Sequence, residues 1–291
     1  MKRCLKCQTT FNGEDWKCPH CGFMPITDKG YVVFAPELAQ QNDTYHADFF
    51  ATLAKLEQGH FWFEGRNRVL LWAIQKYFPQ AKTIFEIGCG TGFVLQQFNS
   101  HLSDITLFGS DLLVEGLHFA QTRVPNSTLL QMDARDIPYV EAFDLIGAFD
   151  VIEHIEEDEL ALAQMFKAIK PGGGLMLSVP QHQFLWSVVD DMSYHKRRYH
   201  KHDLVSKVQR AGFEVVKTTS FVGLLLPLML LNRSRKSDKP ADFDLFAEFK
   251  LNPQLNRMLL AVMKTEVALM RMGVSFRMGG SRLLIAKRPQ S

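Results

Sequence analysis

The chain has 291 residues, of which 46% are hydrophobic and 22% are charged, and its formal net charge is +2. This length suffices for one α/β domain with additions, and the small net charge gives no support for nucleic-acid binding. No apolar run reaches the roughly 20 residues that cross a bilayer, and the N-terminus lacks the apolar core of a secretion signal. We therefore expect a cytoplasmic protein.

Two C-x-x-C pairs open the chain, and ten residues separate them. The four thiols are Cys4, Cys7, Cys18 and Cys21. Thiolates at this spacing can form a tetrahedron around Zn²⁺, whereas the rival interpretation, disulfides, is disfavoured in a reducing compartment. Four protein ligands leave no open position, so the predicted zinc is structural. His20, inside the second pair, is an alternative ligand. Residues 1–24 are thus predicted to be a zinc ribbon.

Residues 25–80 are predicted to be a linker followed by an N-terminal helical cap. The linker contains a short strand near 31–34, and helices are predicted at about 45–56 and 68–78. Between these helices lies an aromatic-rich segment with Arg66, whose guanidinium suits a ligand carboxylate in geometry. The alternative interpretation is that the aromatic side chains pack a helix onto the sheet and Arg66 is solvated.

From residue 81 to 291, apolar strands alternate with helical segments. The predicted strands lie near 82–87, 105–110, 127–131, 143–149, 174–179, 213–219 and 282–287. This alternation predicts a doubly wound α/β fold with a mostly parallel seven-stranded sheet. About 60 residues separate the last two strands, so we predict a helical insertion, 221–280, before the last strand.

The insertion begins with an apolar segment, 221–231, that is followed by basic residues. We favour a lid over an active site, and the alternative is a segment that lies in a membrane interface. A later helix, 252–271, carries an apolar stripe that predicts core packing. The methionines of this stripe could instead line an apolar substrate cavity.

The first strand of the domain runs into a glycine-rich turn, Glu86-Ile87-Gly88-Cys89-Gly90-Thr91-Gly92. Glycines at alternate positions allow the backbone to turn tightly against a ligand. The dinucleotide pattern G-x-G-x-x-G would need glycine at Phe93, which disfavours a nicotinamide oxidoreductase. Asp111 ends the next strand, where a carboxylate can accept hydrogen bonds from both ribose hydroxyls.

These features, with the segments 132–134, 150–154 and 170–173, occur in the order found in class I S-adenosylmethionine (SAM) dependent methyltransferases. Residues 60–220 resemble the bacterial type 11 and type 23 members of that family. The resemblance implies SAM as the methyl donor, with Cys89 a small occupant of the turn rather than a nucleophile. The implied donor-binding residues are Arg66, Glu86, Gly88, Cys89, Gly90, Gly92, Asp111, Leu112, Asp133, Ala134 and Asp150.

Two segments supply candidates for acting on the acceptor. His154 follows the fourth strand, where the family presents residues to the reactive methyl, and an imidazole can take the acceptor's proton. The alternative is a hydrogen-bonded histidine that begins a helix. The block His195-Lys196-Arg197-Arg198-Tyr199 resembles a block of the family and could bind an anion or supply a base through His195 or Tyr199. Its alternative is a solvated basic loop.

We therefore expect methyl transfer to an oxygen or nitrogen of a small-molecule or lipid-linked acceptor that is anionic or apolar. Contact with a membrane surface stays open. A second hypothesis is an RNA-directed methyltransferase, or a nucleic-acid-binding protein that uses the ribbon, although the modest basic charge disfavours it. A third is a methyltransferase fold that serves only as a partner subunit.

Overall fold

In a computed structural model of the chain, the described residues are 1–40, 47–234, 246 and 249–290. The strands are β1 (Lys2–Arg3), β2 (Thr10–Phe11), β3 (Ile26–Asp28), β4 (Tyr31–Val33), β5 (Thr83–Ile87), β6 (Thr106–Asp111), β7 (Thr128–Gln131), β8 (Phe143–Phe149), β9 (Ile169–Pro180), β10 (Glu214–Phe221) and β11 (Ser281–Lys287).

The helices cover both faces of the main sheet. They are α1 (Pro36–Gln40), α2 (Ala47–Glu57), α3 (Phe61–Tyr77), α4 (Phe93–His101), α5 (Val114–Arg123), α6 (Asp158–Ala168), α7 (Val188–Met192), α8 (Lys201–Arg210), α9 (Leu226–Ser234) and α10 (Pro253–Arg271). Two short 3₁₀ turns, Ile152–His154 and Gln183–Leu185, follow β8 and β9.

The main sheet has the strand order β10-β11-β9-β8-β5-β6-β7-β4-β3. Strands β5 to β9 run parallel, and β11 lies antiparallel between β9 and β10. The predicted doubly wound, mostly parallel fold is therefore confirmed, with all seven predicted strands present. The pairing of β10 with β11 forms although the insertion separates them in sequence, because the intervening helices return the chain to the same edge.

The segment that the sequence suggested as a linker extends this sheet. β4 pairs in parallel with β7, placing Val32 opposite Leu130, and β3 completes an antiparallel hairpin. The Gln131 side chain anchors the exit from β4, since it accepts from the Ala35 amide at 2.9 Å and donates to the Ala35 carbonyl at 2.8 Å. The hairpin thus covers a sheet edge that would otherwise have unpaired backbone groups.

The sulfur atoms of the four N-terminal cysteines all lie within 4.8 Å of one another, close enough to bind one metal ion. Sγ of Cys4 lies 3.6 Å from that of Cys21, and Cys7 and Cys18 have the same separation. Two sulfurs bound tetrahedrally to zinc at about 2.3 Å are about 3.8 Å apart, whereas a disulfide requires about 2 Å. The arrangement fits four zinc ligands and not disulfides.

Helix α3 begins at Phe61, seven residues before the predicted start at Arg68. The His60 side chain caps it by accepting from the Trp62 amide at 3.3 Å. The aromatic-rich segment is helical because it packs against α10 of the insertion, where a Cβ on Gly65 would lie 2.8 Å from Met263 Cε. Helix α10 has the predicted bounds to within one residue, and its buried stripe joins the core.

Candidate active site

The glycine-rich turn leads from β5 into α4. Gly88, Gly90 and Gly92 have φ values of 69°, 50° and 74°, the left-handed region in which a side chain is strained. A Cβ on Gly92 would lie 2.7 Å from the Ala120 backbone, and one on Gly88 would lie 2.5 Å from Val151. These close approaches press the turn against α5 and against the segment after β8.

A cavity of about 660 Å³ opens beside this turn. It lies where β5, β6, β7 and β8 end, the usual ligand position in an open parallel sheet. Seven of the predicted site residues line it, namely Gly88, Asp111, Leu112, Asp133, Ala134, Asp150 and His154. Phe49, Phe50 and Leu53 of α2 form the facing wall. The structure therefore brings residues from separate strand ends to one cavity, which is called the larger cavity below because a smaller one adjoins it.

Asp111 faces this larger cavity while holding the turn. Its Oδ2 accepts from the Gly90 amide at 2.8 Å, and its Oδ1 accepts from the Leu113 amide at 3.0 Å. Burial raises the pKa of the Asp111 carboxyl, and these amide donors oppose that rise. Each oxygen keeps a lone pair for a further donor.

Asp133 lies in the same wall and is held by its neighbour Arg135. The guanidinium Nε donates to the two carboxylate oxygens at 2.9 and 3.1 Å. The same arginine reaches Glu157 at 2.6 Å, and all three residues line the larger cavity. The ion pairs fix the carboxylate of Asp133, which is one of the predicted donor-binding residues.

Four predicted donor-binding residues support the larger cavity from behind rather than line it. They are Glu86, Cys89, Gly90 and Gly92. Burial raises the pKa of Glu86 well above its usual value, with the nearby Arg66 guanidinium opposing that rise. Burial likewise raises the pKa of the Cys89 thiol, in keeping with a small core side chain.

Helix α2 contacts the glycine-rich turn through hydrogen bonds that its last residue, Glu57, accepts. Glu57 accepts hydrogen bonds at 2.6 Å from both the Thr91 hydroxyl and the Arg123 guanidinium. The Arg123 guanidinium also donates to the Ala54 carbonyl at 2.9 Å. Glu57 is buried, and such charge-assisted bonds are among the stronger ones in proteins. This contact holds the wall of the larger cavity in place.

A smaller cavity, about 210 Å³, adjoins the larger one. The two share Phe49, Leu53, Asp150 and His154. Its walls are mostly aromatic, from Phe49, Trp62, Phe63, Phe149, Phe246 and Phe249. Phe249 stacks on Phe63 with ring centroids 5.6 Å apart.

The insertion thus contributes to the smaller cavity through Phe246 and Phe249, and none of the side chains that the structure describes in α9, those of 226–231, lines either cavity. The lid expected at the apolar segment 221–231 stays a prediction, and the lining that the insertion gives to the smaller cavity comes from residues 246 and 249. Much of the basic run after that segment lies outside the described residues.

Arg66 lines the smaller cavity and is paired with Asp150, while its buried Nε has no partner among the described residues. Its Nη1 donates to Asp150 Oδ2 at 2.9 Å, and its guanidinium lies 4.8 Å from the centre of the Trp62 ring. Asp150 also accepts from the Ser178 hydroxyl at 3.2 Å and has φ of 58°. The structure therefore gives Arg66 a role in fixing Asp150, which the prediction of a bond to the donor carboxylate did not include.

The smaller cavity has a polar end formed by two histidines. The His154 and His195 rings lie 4.7 Å apart, nearly perpendicular. Burial and the neighbouring His195 lower the pKa of His154 to about 4, so its ring is neutral at neutral pH. His195 Nδ1 lies 2.9 Å from Asp190 Oδ1, which fixes the orientation of that ring.

Asp190 is a residue that sequence reasoning did not assign. It is fully buried and also accepts from Arg198 at 2.7 and 2.9 Å. Burial alone would raise the pKa of Asp190, but the bonds from His195 and Arg198 outweigh it and hold the pKa well below the usual range. The sequence contained one signal for Asp190. Ser187 lies three residues earlier, and this spacing of a serine and an acidic residue is typical of the helix capping box that the two residues form at the start of α7.

Tyr199 and Arg197 do not reach the cavities. Tyr199 is fully buried, and its hydroxyl donates to Asp158 at 2.6 Å. Burial, followed by this bond, raises the pKa of Tyr199 far above its usual value. Arg197 pairs with Asp158 at 2.9 Å and with Glu156 at 3.2 Å. The burial conflicts with the predicted catalytic role of Tyr199, because no acceptor in either cavity can contact it.

The chain belongs to the family whose model, described as a methyltransferase domain, matches residues 55–218. This match and the fold identify it as a class I SAM-dependent methyltransferase family member. It is 23% identical over 173 residues to a probable S-adenosylmethionine-dependent methyltransferase of Mycolicibacterium smegmatis, covering 57% of the chain and 65% of the relative.

It is also 30% identical over 125 residues to the mitochondrial ubiquinone biosynthesis O-methyltransferase of Candida albicans, covering 40% of the chain and 38% of that protein. The chain thus spans less than two thirds of the length of both relatives. Among solved structures, the Haemonchus contortus phosphoethanolamine N-methyltransferase 2 with S-adenosylmethionine has a TM-score of 0.58 and 17% identity, covering 87% of this chain and 60% of that one. Within the described residues, none of the helices combines the length and apolarity needed to cross a bilayer.

Proposed function

We propose that the protein transfers the methyl group of SAM to an oxygen or nitrogen of a small-molecule or lipid-linked acceptor. The observation that carries this proposal is the pair of adjoining cavities, which share Asp150 and His154. The larger cavity adjoins the glycine turn and Asp111 and has the volume for a nucleoside with an amino-acid tail. The smaller one suits an acceptor that is partly apolar or aromatic.

SAM supplies an activated methyl on a sulfonium, so the protein has mainly to align the acceptor with it. We assign Asp111 to the ribose hydroxyls and Asp133 and Ala134 to the adenine end. Gly88 and Leu112 line the wall between them. Glu86, Cys89, Gly90 and Gly92 shape the turn from behind. Arg66 acts on the donor region through Asp150, which it pairs with at 2.9 Å.

At the polar end of the smaller cavity we assign the acceptor's proton to an imidazole. His154 lines both cavities, and His195 lines the smaller one with its ring held by Asp190. A neutral imidazole beside the reacting atom can take the proton as the new bond to carbon forms. The aromatic walls favour a small acceptor, as does the relative named for ubiquinone biosynthesis.

We also propose that Cys4, Cys7, Cys18 and Cys21 hold a structural Zn²⁺, supported by the 3.6 Å sulfur separations. RNA as the acceptor receives little support, because Arg197 and Arg198 of the basic block are occupied by ion pairs with acidic side chains. A cytoplasmic location remains a prediction.

The test is direct. Calorimetry with SAM and with S-adenosylhomocysteine should give binding to one site per chain. Incubation with methyl-labelled SAM and a fractionated lysate, followed by mass spectrometry, should then yield a labelled small molecule. A folded protein that binds neither compound would refute the donor assignment, and label found only in RNA would refute the proposed acceptor class.

A further inference from the structure

A buried carboxylate beside the two histidines has no side-chain partner among the described residues. Glu153 lies in the 3₁₀ turn after β8 and is fully buried. Apart from its own backbone amide, Glu153 has no hydrogen-bond donor for either carboxylate oxygen in the part of the chain that the structure describes. A buried polar group without a partner destabilises the folded state, and a charged one does so more strongly. Something besides the described residues is therefore expected to satisfy Glu153.

The surrounding charges indicate what that partner is. Two other carboxylates lie near Glu153, and each already has a guanidinium partner. Asp150 pairs with Arg66 at 2.9 Å, and Asp190 pairs with Arg198 at 2.7 Å. Glu153 is the third carboxylate of this group, and it lacks such a partner among the described residues. Burial raises the pKa of the Glu153 carboxyl well above its usual range, so without a cation a proton neutralises it and leaves a buried hydroxyl donor. A cation bound to the carboxylate would remove that unpaired donor.

The two histidines are arranged as metal ligands usually are. One ring nitrogen of each is held by an oxygen acceptor: His195 by the Asp190 carboxylate and His154 by the Ser193 carbonyl. Each ring therefore has one nitrogen left. Ligand atoms of Glu153, His154 and His195 all lie within 4.8 Å of one another. A carboxylate that orients a ligating histidine is a frequent outer contact of metal sites.

We propose that Glu153, His154 and His195 bind one first-row divalent cation at the junction of the two cavities. Two imidazoles and one carboxylate suit zinc, manganese or iron(II), whereas magnesium and calcium prefer sets of oxygen ligands. Three protein ligands leave a position for a water or an acceptor oxygen in the smaller cavity. This site is separate from the cysteine cluster and has different donor atoms.

The inference deepens the proposed function and rests on it for the presence of an acceptor. A cation that coordinates an acceptor hydroxyl lowers the pKa of that hydroxyl. The cation would thus replace the imidazole as the means of proton removal, because the two histidines are then ligands. The metal content of the protein decides between these two routes.

The experiment is a titration of the chelator-treated 291-residue chain with Co²⁺, without donor or acceptor. We expect two ions per chain: one with the thiolate-to-cobalt charge-transfer absorption of a cysteine site, and one with only the weak bands of nitrogen and oxygen ligands. Glu153→Gln and His195→Ala should lose the second ion and keep the first. The retained thiolate band and the circular dichroism spectrum show that a variant is folded.

Matched controls lie elsewhere in the chain. Glu266 is another fully buried glutamate with one unpartnered oxygen, and His182 is a half-buried histidine outside the cluster. Glu266→Gln and His182→Ala should keep both ions. A single cobalt per chain with the thiolate band, or a second ion that survives in both cluster variants, would overturn the proposal. Failure of SAM binding, measured separately by calorimetry, would count against the donor assignment and not against the metal.

Discussion

Asp111 shows how one residue serves two tasks in this site. Its carboxylate binds the amides of Gly90 and Leu113, which fixes the turn, and it also lines the larger cavity. Sequence reasoning reached Asp111 because it ends a strand one βα unit after the glycines. Only the structure shows that the oxygens of Asp111 also accept hydrogen bonds from the backbone amides of Gly90 and Leu113.

We predict that Asp111→Ala weakens SAM binding roughly 10- to 100-fold, because hydrogen bonds to a charged group contribute about 1.5–3 kcal/mol. Calorimetry measures the affinity, and circular dichroism shows whether the fold is retained. Asp111→Asn is the matched control: it keeps one acceptor oxygen, so its affinity should fall less. An affinity unchanged in the alanine variant would contradict the ribose assignment.

At the scale of elements, the joint between β5 and α4 depends on glycine for two separable reasons. Gly90 and Gly92 both have positive φ, but a Cβ on Gly90 would meet open space, whereas one on Gly92 would meet the Ala120 backbone at 2.7 Å. The two positions therefore differ in steric contact and not in the kind of backbone strain.

We predict that Gly92→Ala destabilises the protein more than Gly90→Ala does. The strain shared by both costs about 1–2 kcal/mol, and Gly92→Ala adds a clash that can be relieved only by moving α5 or the turn. Urea unfolding of the two variants beside the wild type gives the difference in the free energy of unfolding. Equal losses in the two variants would show that the contact with Ala120 is unimportant.

At the scale of the whole molecule, the N-terminal segment that carries the four cysteines, here called the ribbon, packs against the methyltransferase domain. Arg3 is buried and donates to the Ile137 carbonyl at 2.6 Å, to Asp136 at 2.6 Å and to Gln164 at 3.0 Å. The Trp16 ring packs edge-on against Tyr139, 5.3 Å between centroids. The two parts should therefore unfold together.

We predict that Arg3→Ala loosens the ribbon and lowers the free energy of unfolding by about 1–3 kcal/mol, since buried acceptors lose a charged donor. Limited trypsin digestion should cut the variant faster within its first 30 or so residues. Lys6 is an exposed cation of the same ribbon, and Lys6→Ala should match the wild type in stability. A protease pattern identical for the Arg3 variant and the wild type would mean that the ribbon is held by other contacts.

Much of the fold could be predicted from local pattern. The alternation of apolar strands with helices fixed the seven core strands, because hydrophobic periodicity and glycine turns are properties of short segments. The extent of α3 could not be predicted in this way. Phe61 and Trp62 are weak helix formers by propensity, and the helix reaches them because α10, nearly 200 residues later, packs against that face.

The candidate site, like the fold, could be predicted from the sequence only in part. Sequence by itself determined which residues end the strands, since Asp111, Asp133 and His154 follow apolar runs that parallel pairing brings to one edge. Only the tertiary structure decided how side chains pair across that edge: Arg66 with Asp150, and Asp190 with both His195 and Arg198. Spacing along a chain specifies local conformation, whereas the partner of a buried charge depends on which distant elements the packed core brings within hydrogen-bond distance.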